Sequence, residues 1–384
     1  MQHDQAQAET SATDSGQSAG VSSSAQVSQL VDPPTGAVGI PTNLASLVVS
    51  FSELVTATAG SSPFALRPDS GGSVSAQLGA AVSCAGTCYA IEPSGQLAPS
   101  TSYAVEILAG SLQFLDGKPI PAANLGSFTT DSSADLFAPH IEAFTVSAAE
   151  GCVSVHLAAD EVVRAEVELG AGGAQASVTS DSLAATLDFA KRMPDLPSAV
   201  QAQAVARIVD RAGNSTVSAP VVLDLPPQLP RIVITEVLAN PAGSEITQEF
   251  VEIYNAGSDP VALGGLRLAD KSGSDVLPDA ALPAGAYALL VPENFDAADG
   301  KDTPPRDGTL VLPLSGRLAG DGLANTGEPV QLLSVDGYVV SQYGGWVDVS
   351  ATAWSGMSVK RSSVDACDGP DAWSQTPSPA TPGW

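Results

Sequence analysis

Apolar and polar residues alternate along most of this chain in short segments, broken by glycine, proline, asparagine and aspartate. SLVVSFSE (Ser46 to Glu53), SYAVEILAG (Ser102 to Gly110) and GSFTT (Gly126 to Thr130) repeat every second residue, the period of a strand with one face buried. CVSVHLAAD, VRAEVEL and VQAQAVARIVDRAGNS carry the same period further on, and RIVITEVLA and YALLVP are apolar runs of strand length. No segment holds an apolar stripe at helical spacing over the ten or so residues a helix needs. The pattern predicts an all-β protein of three serial β-sandwiches, at 31–132, 138–228 and 231–384. The breaks fall at DSSADLFAP (Asp131 to Pro139) and at DLPPQLP (Asp224 to Pro230), where proline stiffens the connection. Residues 1–30 are polar and of low complexity, too poor in apolar surface to offset the entropy of ordering. They read as a disordered tether.

One stretch, EFVEIYN (Glu249 to Asn255), places two carboxylates in an apolar run. On a strand Glu249, Val251, Ile253 and Asn255 share one face, and Phe250, Glu252 and Tyr254 the other. The two glutamates therefore point to opposite sides and cannot act on one substrate atom. Glu252, between two aromatics, is expected on the core side, where a carboxylate needs hydrogen-bond donors. Asn255-Ala256-Gly257 supplies the following turn. A metal site shared by Glu252 and Glu236 is the functional alternative to this structural reading.

Charge narrows the function. With 15 Lys+Arg against 42 Asp+Glu, the net charge is −27, which opposes nucleic-acid and anionic-membrane binding because both rely on clustered cations. Such acidity suits calcium or basic partners. No apolar run approaches the roughly 18 residues of a membrane span. The N-terminal tract has neither a basic n-region nor an apolar h-region. It resembles the tethers that follow the lipidated cysteine of bacterial lipoproteins, which places the expected lipid anchor upstream of Met1.

The four cysteines are at 84, 88, 152 and 367. SCAGTC brackets Gly86 between Cys84 and Cys88, which suits a tight hairpin loop whose flanks face each other at about 4.5–5.5 Å, within disulfide range. A zinc site would need further ligands, and Cys152 and His156 lie roughly 13 Å apart on a strand. Cys84–Cys88 is the expected disulfide. Cys152 and Cys367 either pair or stay as buried free thiols. An oxidising, extracytoplasmic compartment follows.

Three stretches resemble known families. The first unit runs VDPPTGAVGIPTNLASLVVSFSE, then LAPSTSYAVEILAG, then DGKPIPAANLGSFTT. It resembles the bacterial Ig-like family known from S-layer proteins, through Phe51, Ser52, Glu53, Leu97, Pro99, Thr101, Tyr103, Phe128 and Thr130. Tyr103, starting a strand after a proline-bearing loop, is expected to fill the core and pin the corner with its hydroxyl. The second unit, with its Asp210-Arg211-Ala212-Gly213-Asn214 turn, resembles fibronectin type III and related Ig-like modules. The third resembles a bacterial lamin tail domain through five motifs in order. These are Glu236; Glu249, Phe250, Glu252, Tyr254 and Asn255; Leu263, Gly265, Leu268 and Asp270; Asn325, Gly327 and Glu328; and Trp373 with Thr381-Pro382-Gly383. Thr235 stands where the family commonly has asparagine. The resemblance implies Ig-like β-sandwiches without a catalytic centre.

Candidate chemistry is sparse. GQSAG (Gly16 to Gly20) has the spacing of a nucleophile elbow but sits in the tether, without the strand and helix that motif requires. His3, His140 and His156 form no nucleophile–base arrangement, and His156 reads as an exposed strand residue. The sequon at Asn214 matters only in a glycosylating pathway. The loop DAADGKD offers Asp296, Asp299 and Asp302 around Gly300, hard oxygen ligands of the kind calcium takes, without the spacing of an EF-hand. Tyr343, Trp346 and Trp354 near Gly344-Gly345 are candidate stacking residues for a glycan or protein ligand. The expectation is a secreted or surface-anchored, non-catalytic adhesion, spacer or envelope-binding protein. Its partners would be cell-envelope or extracellular proteins or glycans. The alternatives are calcium-assisted recognition through the third unit's loops, or an accessory subunit of an extracellular hydrolase.

Overall fold

The computed structural model describes residues 28–84, 86–192, 197–325, 328–344, 356–369, 372–375 and 380–383. The tether expected at 1–30 therefore lies almost wholly outside the described residues. Among the described residues, strands account for the regular structure, apart from one helical turn at Glu245–Gln248.

In the first unit, eight strands form a sheet that encloses one core. Ser102–Ile107 shows how the sequence pattern becomes packing: Tyr103, Val105 and Ile107 point inward, with half-buried residues between them. Tyr103 lies against Phe128 with 5.9 Å between ring centroids. Its hydroxyl accepts the Ala98 N–H at 2.8 Å, fixing the proline-bearing loop to the strand that follows it. The SCAGTC loop is closed by the Cys84–Cys88 disulfide.

The second unit is organised by one strand, Cys152–Ala171. Its first part pairs with Ile141–Ala149 and Ala184–Arg192, and its second part with Ala174–Thr179 and Gln201–Asp210. CVSVHLAAD and VRAEVEL, separate in the sequence pattern, are thus one continuous strand. The pattern breaks because the pairing shifts between Ala158 and Val163, where the strand passes from one set of neighbours to another.

In the third unit a six-stranded sheet runs in the order Leu310–Pro313, Tyr287–Val291, Phe250–Asn255, Ile232–Leu238, Val359–Arg361 and Trp373–Gln375. Its Val251, Ile253, Ile234 and Leu290 share a core with Leu268, Leu332 and Val340 of a four-stranded sheet. Leu238, Phe250, Leu289 and Val291 form a second, smaller core with Ala380 on the reverse face. Ile232–Leu238 is consequently buried at every position, which explains why RIVITEVLA, after its leading arginine, is apolar on both faces apart from Thr235 and Glu236.

Replacing Tyr103 with phenylalanine keeps the ring and removes the acceptor for Ala98. A loss of about 1 kcal/mol in the unfolding of the first unit is expected, read from the shift of its urea midpoint. An unchanged midpoint would show that the corner holds without this bond.

Candidate functional site

EFVEIYN occupies the strand Phe250–Asn255 and the residue before it. Glu249 and Glu252 do point to opposite faces, but the face expected to be the core side is the reverse one. Val251 and Ile253 enter the main core, while Phe250 belongs to the smaller one. Glu252 faces Glu236 directly across the two strands, and both are fully buried. What covers them is the end of the chain. Glu236 accepts the Thr381 N–H at 3.0 Å and the Thr381 hydroxyl at 3.2 Å, together with a bond from the Ser358 hydroxyl. Lys360 Nζ stands 3.9 Å from it. Glu252 accepts the Thr235 hydroxyl at 2.6 Å and the Gly383 N–H. On the opposite side Glu249 accepts the Leu323 N–H at 3.3 Å. Burial pushes Glu252 up to about 7, opposed by the Thr235 and Gly383 bonds and aided by Glu236; burial likewise pushes Glu249 up to about 7. Asn255, also buried, donates to the carbonyls of Asp259 and Leu282 and accepts the Gly257 N–H, making the turn.

The acids of DAADGKD are placed against the segment that precedes EFVEIYN. Asp302 accepts the N–H groups of Ala242 at 2.9 Å and Gly243 at 2.7 Å, and Asp296 accepts the Ala298 N–H at 2.9 Å. A Cβ at Gly243 would lie 2.1 Å from Asp299 Oδ2 and 2.9 Å from Asp302 Oδ2, so these two carboxylates converge over Gly243, where any side chain would push them aside. Tyr343 is buried, edge-on to Trp373 at 4.8 Å, and is therefore unavailable for stacking on a ligand. Trp346 and Trp354 lie outside the described residues. His156 is half-exposed and meets Asp188 at 2.7 Å.

A second group of acids was not evident in the sequence. Asp135, Glu161 and Asp210 each bring a carboxylate oxygen within 4.8 Å of the others, at the junction of the first two units. That junction is held by Arg211 on Asp32, 2.6 Å at its shortest, and by reciprocal bonds between Asn43 and the Asp135 backbone. Burial pushes Glu161 up to about 7, and Asp135, Asp210 and Asp160 add to the shift. These are residues that could hold a divalent cation.

A dense polar site lies between the second and third units. Ala149 pairs with Cys152 across a two-residue turn, in which Glu150 (φ 55°) and Gly151 (φ 69°) are both left-handed. That is the geometry of a tight hairpin turn in which glutamate is an unfavoured first residue. The Glu150 side chain is nonetheless fixed. It accepts the Ser341 hydroxyl at 2.7 Å, the Gln342 N–H, Arg361 Nη2 at 3.1 Å and the Asp368 N–H at 3.3 Å. Arg361 also donates to the carbonyls of Ile234, Ala366 and Gln342, and lies 4.7 Å over the Trp373 ring. Two residues from Glu150, Cys152 is joined to Cys367, which settles the alternative left open by the sequence. Asp368 accepts Trp373 Nε1 at 2.7 Å and the Gly344 N–H at 3.1 Å; burial pushes its carboxyl up from the usual range. Sequence reasoning passed over Glu150, Arg361 and Asp368. The available signal was a Glu-Gly pair between alternating segments, where Asn-Gly or Asp-Gly is the usual choice.

Residues 226–345 match the family model described as Lamin Tail Domain, and residues 23–130 that described as Bacterial Ig-like domain. No curated protein matches the chain. Among solved structures, the N-terminal part of the bacterial S-layer protein SbsC is similar at 14% identity and TM-score 0.23, over 52% of this chain and 44% of that one. The chicken CNTN1 FN1 to FN3 domains are similar at 10% identity and TM-score 0.23, over 79% and 96%. A DUF4876 family protein from Bacteroides thetaiotaomicron gives 9% identity and TM-score 0.22, over 52% and 82%. At these TM-scores the structural likenesses carry no argument.

Two outcomes are expected. Glu150→Gln leaves the buried Arg361 without its anion and should destabilise the joined second and third units by about 3 kcal/mol, measured by urea unfolding under oxidising conditions. A loss below about 1 kcal/mol would mean that the guanidinium is satisfied by its carbonyl partners alone. Glu161 is raised from 4.5 to about 7, so the folded chain holds that proton more tightly than the unfolded chain. The stabilisation it gives is complete below 4.5 and is lost as pH rises through about 7. Glu161→Gln should therefore raise the Tm near pH 8 and leave it unchanged near pH 4, as read by differential scanning calorimetry.

Proposed function

We propose that this chain, built with a bacterial Ig-like domain before its middle and a lamin tail domain after it, works outside the cytoplasm as a non-catalytic surface spacer or adhesion module. The observation that carries this reading is the joint between the second and third units, where a disulfide and a buried ion pair hold consecutive sandwiches together. A disulfide of this kind persists only in an oxidising compartment. A locked joint suits a part that sets distance and direction, and domains of the two matched types are typically non-catalytic. A cell-envelope or extracellular protein or glycan is the partner class, and a lipid anchor upstream of this sequence would supply attachment. Service as an accessory subunit of an extracellular hydrolase uses the same locked joint with an enzyme as the partner.

The test is antibody labelling of intact, unpermeabilised cells, paired with small-angle X-ray scattering of the purified chain with and without reductant. Surface labelling, with a second-to-third-unit spacing that is fixed until Cys152–Cys367 is reduced, is the expected result. Labelling only after permeabilisation would sink the proposed location, and broad interdomain distances in the oxidised protein would sink the spacer role.

Calcium-assisted recognition through Asp296, Asp299 and Asp302 is the second reading, favoured by the convergence of Asp299 and Asp302 over Gly243. A ligand that binds only the folded state raises its stability once its concentration exceeds Kd. The spacer reading expects the same Tm in EDTA and in millimolar calcium. A rise that disappears in Asp299→Ala and Asp302→Ala, yet survives in Glu161→Gln, would transfer the function to this loop.

A further inference from the structure

The proline-rich linker and the Glu150 hairpin line a half-open cleft of about 760 Å³ between the second and third units. Its size falls within the roughly 300–1,000 Å³ typical of ligand pockets. Although the chain has only 15 basic residues against 42 acids, Arg192, Arg231 and Arg361 all line this cavity. Their situations differ. Arg361 is buried, paired with Glu150 and saturated by carbonyls. Arg231 donates to the Ala256 carbonyl and to the carboxylate of Asp365, which is itself 68% exposed. Arg192 donates Nε to the Asp365 carbonyl at 3.2 Å and Nη1 to the Glu150 carbonyl at 3.0 Å. Neither acceptor is charged, and no carboxylate forms an ion pair with Arg192 among the described residues.

Carbonyl bonds orient a guanidinium without neutralising it. Burial lowers the Arg192 pKa, and the positive charge of Arg231 lowers it further, while the carboxylates of Glu150 and Asp365 oppose this without bonding to its guanidinium. An anion entering between the two arginines would relieve that repulsion, and a planar carboxylate fits the fork of a guanidinium best. Asp365 already engages Arg231 from the solvent side, and its exposure leaves it free to give way. The linker side of the wall is largely apolar, from Leu225, Pro226, Pro227, Leu229 and Pro230, while Glu150, Ser198, Gln228, Ser341 and Asp365 make the rest of the lining polar. No aromatic side chain lines the cavity among the described residues, so a sugar ring would find no face to stack on. A chain end with an apolar last side chain matches both features, its carboxylate at the arginines and its side chain against the prolines.

We propose that this cavity binds the terminal carboxylate of a peptide segment ending in an aliphatic residue, with Arg192 and Arg231 holding the carboxylate. The site goes beyond the spacer role and does not depend on where the protein resides.

The probe is N-acetyl-Leu-Val, as the free acid and as the C-terminal amide, titrated calorimetrically into the oxidised full chain. Saturable binding of the acid is expected, with the amide at least ~10-fold weaker. Arg192→Gln should weaken the acid by a similar factor and bring it level with the amide, while Arg192→Lys keeps part of the preference. If Arg192→Gln does not fold, the comparison of acid and amide on the unaltered protein still decides. Equal binding of acid and amide, or no saturation by either, would overturn the proposal. Displacement of the acid by inorganic phosphate at equal concentration would also overturn it, reducing the site to an unspecific anion hole.

Discussion

The joint between the second and third units depends on a carboxylate carried by one and a guanidinium buried in the other. Removing both ions from water costs several kcal/mol each, and their mutual attraction offsets this only when every remaining lone pair and proton is engaged. Glu150 meets that condition, with donors from Ser341, Gln342, Arg361 and Asp368. Arg361 meets it with three carbonyls and the Trp373 face. The hairpin holds a left-handed glutamate at its tip, a conformation that disfavours a side chain, and the contacts of its carboxylate in the third unit offset that cost. The Cys152–Cys367 bridge then closes a loop across a sequence separation of 215, for which the chain-entropy model gives on the order of 5 kcal/mol. Bridge and ion pair act differently: the first limits separation, and the second sets rotation, because its donors arrive from fixed directions.

The junction of the first two units is built on weaker terms. Arg211 grips Asp32 through two nitrogens, and Asn43 exchanges bonds with the Asp135 backbone, with no covalent link. Acids accumulate beside it at Asp135, Glu161 and Asp210, so the same place carries both the tie and a repulsion that grows with pH. A chain at −27 concentrates such repulsion wherever two of its units meet. At the second joint Arg361 pairs with Glu150 and Arg231 with Asp365, which offsets much of the repulsion.

Much of the architecture was legible because its causes are local. The period of two in SYAVEILAG became alternating burial, the proline-bearing loop before Tyr103 became a pinned corner, and SCAGTC became a closed loop. Legibility ended where the cause lies far along the chain. The parity of EFVEIYN separated Glu249 from Glu252, but which face met the main core depended on Ala380 to Gly383, more than a hundred residues away. Glu150 and Arg361 are 211 residues apart, and nothing in either neighbourhood names the other. The Asp299 and Asp302 carboxylates were visible as a loop, yet their convergence on Gly243 rests on a turn in another segment.

The buried glutamates of the third unit follow the same physics as the joint. An aliphatic pair at 236 and 252 would avoid the desolvation cost, and such replacements of buried charge are often neutral or stabilising. It would not, however, tell the closing segment where to lie. Apolar contact at Ala380 is non-directional, whereas the N–H groups of Thr381 and Gly383 must each find an acceptor to be buried. Glu236 and Glu252 provide acceptors at one register only, because they face each other across paired strands. Glu249 does the same on the opposite face for Leu323. Thus the acids of EFVEIYN fix loose segments onto a strand that is apolar on both sides, and the strand needs them because hydrophobic burial alone would leave its coverings free to slide.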